Sequence, residues 1–112
     1  MHSTCEIQAG VCGFRTQATA LSDDSQHVTF DLESDCQKIA DLGRRLAAAG
    51  ALDAYGEIDS RTESALLAIA REVLTGCCAG CAVPVGLFKM MQVAAGLALP
   101  KDIIINLETS NG

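Results

Sequence analysis

The hydrophobic period of the chain changes once, between Glu33 and Ser34, from a repeat of two residues to a repeat near 3.6. A switch of that kind confines the fold to strands followed by helices. Cys5, Ile7 and Ala9 alternate with polar neighbours, so residues 4–9 are expected as a first strand, ended by Gly10. The tight loop Gly10-Val11-Cys12-Gly13 leads into a second alternating run over residues 14–20. After the polar turn Ser22-Asp23-Asp24-Ser25, residues 27–33 alternate most cleanly, with Val28, Phe30 and Leu32 facing inward. The three runs predict an antiparallel meander.

Helical spacing takes over from there. Ser34, with Gln37 three residues on, has the form of a capping box. Ile39, Leu42, Leu46 and Ala47 supply the apolar stripe of a helix that stops at Gly50. A second capping box, Ser60 with Glu63, introduces a helix carrying Leu66, Ile69, Ala70 and Val73 and ending at Gly76. Pro84 suits the first turn of a third helix, where its missing N–H costs nothing, and Leu87, Phe88, Met91, Ala94 and Ala95 form its core face. Ile103-Ile104-Ile105 is expected as a final strand and residues 109–112 as a frayed end. The expected fold is one α+β domain over residues 1–112, an antiparallel sheet of about four strands with three helices in the order β-β-β-α-α-α-β.

Charge narrows the partners. The formal net charge is −6, with eight basic residues and no cluster denser than Arg44-Arg45, so neither nucleic acid nor an anionic membrane surface is an expected partner. No apolar run approaches the ~20 residues that span a bilayer, and the first residues lack a basic segment followed by an apolar one. A cytoplasmic location is the expectation. A protein partner or a homodimer is compatible with the composition, and no reaction is implied.

Six cysteines in 112 residues are the chemical signal. In a reducing compartment such a set points to metal binding or thiol chemistry rather than to disulfides. Sequential elements joined by short connections pack antiparallel. Tracing the chain up and down in that way brings the loop at Cys12, the helix start at Cys36 and the stretch Cys77-Cys78-Ala79-Gly80-Cys81 to one end of the fold. Cys5 is expected at the other end. Cys12, Cys36, Cys78 and Cys81 are therefore the expected ligands of a zinc ion or an iron–sulfur cluster, with Cys77 competing with Cys78 for the fourth place. Helix N-termini beside Cys36 and Cys81 favour negative charge there. An alternative is thiol redox or thiol transfer at Cys78 and Cys81, in which thiolate character decides reactivity. A further alternative is an interaction or small-ligand module whose cysteines only pack, as cysteine often does in cores.

The stretches Ala9-Gly10-Val11-Cys12-Gly13-Phe14, Glu33-Ser34-Asp35-Cys36, Cys81-Ala82-Val83-Pro84 and Gly96-Leu97-Ala98-Leu99-Pro100-Lys101-Asp102 carry a resemblance. With them the chain resembles a family of small prokaryotic cysteine-bearing proteins, a domain of unknown function. That resemblance implies no activity.

Overall fold

A computed structural model describes residues 1–111; Gly112, the last residue of the expected frayed end, lies outside the described residues. Strands β1 (His2–Gln8), β2 (Arg15–Leu21) and β3 (His27–Ser34) form the expected antiparallel meander. Their alternation has a plain cause: Thr16, Ala18, Ala20 and Val28 are buried on one face, while Gln17, Thr19 and Thr29 face outward. Asp24 closes the β2–β3 turn by accepting hydrogen bonds from the Gln26 and His27 amides and contacting the His27 ring at 2.7 Å. The contact with the His27 ring, followed by the two amides, holds the Asp24 carboxyl well below the usual carboxylate range, and the same contact raises the His27 pKa.

Helix α1 (Gln37–Ala49) packs on β3 and buries Ile39, Leu42 and Leu46, but Ala47 is exposed. The fourth strand is β4 (Leu52–Asp53), which pairs antiparallel with β3 and completes the order β1-β2-β3-β4. The sheet is thus four-stranded and the fold α+β, as expected, while the last strand sits elsewhere in the chain. Residues 103–105 form no strand: Ile103, Ile104 and Ile105 are exposed, and this tail runs beside β1 and α4. Local propensity alone does not make a strand when no partner's backbone is in register.

After β4 come the four-residue α2 (Ala54–Glu57), α3 (Ala65–Val73), a 3₁₀ turn (Gly76–Gly80) and α4 (Val83–Ala94). Neither expected capping box forms. Cys36, not Ser34, is the N-cap of α1; the Ser34 hydroxyl instead meets Thr16 Oγ1 at 2.8 Å and accepts the Cys36 amide at 3.1 Å. Ser64, not Ser60, caps α3 by accepting the Leu67 amide. The buried Glu57 carboxylate completes that cap, accepting the Ala65 and Leu66 amides at 2.7 Å and the Ser64 hydroxyl at 3.1 Å. A tertiary carboxylate thus satisfies the amides that an i, i+3 partner was expected to satisfy.

Helices α1 and α4 cover one face of the sheet and α3 packs against both, and their buried residues join those of the strands in one core cluster. By length and composition alone, the 19 residues Gly76–Ala94 could cross a bilayer, with a window mean hydropathy of 1.5. This corrects the expectation that no run approaches that length. In the fold the stretch is divided by Cys81 and Ala82, and Val83, Leu87, Met90, Met91 and Ala94 are buried in the core.

The seating of α4 depends on Gly86. A Cβ at that position would stand 2.5 Å from Ile7 Cδ1 and 3.5 Å from Cys5 Sγ, so helix and strand touch where the glycine has no side chain. Overpacking of this kind costs ~1–3 kcal/mol, offset by about 1 kcal/mol of helix propensity when alanine replaces glycine. Gly86→Ala should therefore lower stability by about 1 kcal/mol in urea unfolding. In an Ile7→Val background, which removes the clashing methyl, the same change should be neutral or stabilising. Glu57→Ala, which strands two helix amides, should cost about 2–3 kcal/mol in the same assay.

Candidate metal centre

Strand register fixes one end of the molecule. Gln8 pairs with Arg15 and Thr16 with Ser34, so the β1–β2 loop and the start of α1 lie at the same end of the sheet. The Asp35 amide, donating to the Arg15 carbonyl at 3.2 Å, extends that pairing to the residue before Cys36. Gly86 opposite Ile7 sets the direction of α4, and Gly10, Gly80 and Ala82 line one groove together. The 3₁₀ turn and the first residues of α4 therefore reach the β1–β2 loop. Three stretches remote in sequence deliver Cys12, Cys36 and the Cys78/Cys81 pair to this end.

Each sulfur has a distinct setting. Cys36, Cys78 and Cys81 are half-buried and pack against the core, whereas Cys12 and Cys77 are exposed. Cys36 has the extended backbone of an N-cap, with no cap hydrogen bond from its own side chain, which leaves the thiol available at the positive end of α1. Its expected place as the second residue of a Ser34-capped helix is corrected accordingly. Cys81 stands three residues before Pro84 at the head of α4. Partial burial raises its thiol pKa above the ordinary 9.0; the Val83 amide pulls it down, and charge on Cys12, Cys36 or Cys78 would raise it further. Cys12, Cys36 and Cys78 thus act electrostatically on Cys81, and Cys77 is not among its influences. The sequence signal for the Val83 amide is Pro84, which in the first turn marks where the free amides of α4 must lie.

Among the described residues, no group of three or more His, Cys, Asp or Glu side chains is placed to hold a metal ion, and all six cysteines are free thiols. Cys5 is not at the far end of the sheet, as expected, but mid-strand, paired with Ala18 and facing α4 at Gly86. Burial, and secondarily Asp102, raises its pKa. It lines a groove of about 820 Å³ between β1, α4 and the tail, and none of the other five cysteines is in that lining.

The fold and this end of it define a two-layer α+β protein with a cysteine-rich pole. The chain belongs to a family of unknown function (DUF6951), matched over residues 3–107. No curated protein and no solved structure matches it.

Thiolate is the reactive form, so a raised pKa slows alkylation at neutral pH. Iodoacetamide at pH 7 should label Cys12 and Cys77 first and Cys81 late, as read by peptide mass mapping. Between pH 7 and pH 9 the Cys81 rate should climb without levelling, because its pKa lies above that window.

Proposed function

We propose that this protein holds a thiolate-bound metal centre, a zinc ion or an iron–sulfur cluster, on Cys12, Cys36, Cys78 and Cys81. One observation carries the reading: three stretches remote in sequence bring Cys12, Cys36 and the Cys78/Cys81 pair to one pole, where α1 and α4 present their N-termini. Four thiolates suit tetrahedral zinc or a cluster. Either assembly is a net anion, and free helix amides favour it. Binding must displace the thiol protons, so affinity should rise with pH and should still be rising at pH 9, because the Cys81 pKa is raised above its ordinary value. Such a site suits a reducing compartment, in keeping with a cytoplasmic protein.

A second reading rests on the turn itself. The Cys81 amide donates to the Cys78 carbonyl at 3.1 Å, closing a 3₁₀ turn in which side chains three apart eclipse. Three residues at a rise of about 2.0 Å place their Cα atoms about 6 Å apart, inside the ~4.4–6.8 Å span of a disulfide. Thiol redox at this pair is the alternative function.

Protein purified without oxygen and analysed for metal separates the two. Zinc near one equivalent, or iron with sulfide and visible charge-transfer absorption, is the expected result, lost in Cys36→Ser and Cys81→Ser but kept in Cys5→Ser. A metal-free chain that takes up neither zinc nor iron after full reduction, yet forms a reversible Cys78–Cys81 disulfide, would give the function to the second reading.

A further inference from the structure

The four cysteines are not held alike. Cys36 is fixed on both sides, its amide donating to Ser34 Oγ at 3.1 Å and its carbonyl accepting the Ala40 amide at 2.9 Å. The Cys78 amide donates to the Thr75 carbonyl at 3.2 Å and the Cys81 amide to the Cys78 carbonyl at 3.1 Å. All three side chains pack on the core. Cys12 sits instead on an exposed turn closed by backbone alone, with the Gly13 amide donating to the Gly10 carbonyl at 2.9 Å and the Ala9 amide to the Phe14 carbonyl at 3.4 Å. Gly10 and Gly13 have φ of +96° and +71°, and a Cβ on either would meet nothing within 4 Å. Its neighbour Val11 is fully exposed at 107 %. No core contact holds this loop; its stems in β1 and β2 do.

Resting on the four-cysteine reading above, we infer that the site is built for exchange. Cys36, Cys78 and Cys81 form an anchored three-sulfur base, and Cys12 is a detachable fourth ligand whose departure opens the metal to a thiol-bearing acceptor. The exchange balances simply. The Cys12 sulfur–metal bond breaks and that thiolate takes a proton from water. The incoming thiol gives its proton to water and bonds the metal, with no change in metal oxidation state. Zinc tolerates a change of ligand number during such a step. Because Cys12 stands on the exposed β1–β2 loop, the opened position faces solvent, as transfer to another molecule requires.

The test loads the full chain with Co²⁺ and with Zn²⁺. Wild type is expected to bind one Co²⁺ with four-sulfur charge-transfer absorption. Cys12→Ser should keep one-to-one binding, with that absorption reduced by roughly a quarter and affinity weakened by about tenfold; Cys36→Ser and Cys81→Ser should weaken it by ~1,000-fold or more. Zn²⁺ transfer to a small dithiol should depend on dithiol concentration in wild type and be faster in Cys12→Ser. Circular dichroism of the metal-free variants checks that each is folded, with Cys→Ala replacing any serine variant that is not. If wild type binds no Co²⁺, the metal-centre reading itself is lost. If wild type binds but all the variants lose affinity equally, or transfer ignores the dithiol concentration, the reading stands and the exchange role is overturned.

Discussion

Helix α4 can lie against β1 because residue 86 carries no side chain, and the rest of the cysteine pole depends on that contact. Ile7 occupies the space a Cβ would need, which fixes how far along the strand the helix sits. That position puts Gly80, Ala82 and Gly10 on one groove, and Cys81 within electrostatic reach of Cys12. Interiors are close-packed enough that such a contact behaves as a fixed stop rather than a sliding fit. Lifting the helix would move its first turn, with the Val83 amide, away from the other sulfurs. The core and the candidate site are in this sense one construction.

The strands were legible because each is buried on one face only, which writes a period of two into the sequence; Thr16, Ala18 and Ala20 against Gln17 and Thr19 show it most clearly. The arrival of the cysteines at one pole was legible for a related reason, since strands and helices of similar length keep an up-and-down path in step. The caps were not. Ser34 and Ser60 each head a pattern that local chemistry would accept. Thr16, from a neighbouring strand, engages the Ser34 hydroxyl, and Glu57, from the short α2, takes the amides of α3. Those partners are remote in sequence or lie in an element too brief to leave a period. β4 escaped notice because two residues cannot alternate visibly. The aliphatic run at 103–105 misled for the opposite reason: a strong local preference without a partner.

The electrostatics of the pole follow from where the helices begin. A chain with net charge −6 is a poor place to collect thiolates unless something local offsets their repulsion. Here Cys36 caps α1 and the Val83 amide opposes the burial of Cys81, so backbone dipoles supply what the sparse basic residues do not. Anchoring and charge compensation therefore coincide at Cys36 and Cys81, and Cys12 has neither.

The tail has a consequence for how the protein survives at high concentration. Residues 103–107 are an aliphatic, uncharged window, with Leu107 exposed at 90 %, and they lie along β1, the strand at the outer end of the sheet order. An open edge beside a β-prone segment is a template for chain-to-chain growth. Lys101 and Asp102 stand immediately before the window and Glu108 immediately after it. Charges so placed act as gatekeepers, since stacking copies in register would bring like charges together at both ends. Any protection against such growth would therefore come from the residues that bracket the hydrophobic run, not from hiding the run itself.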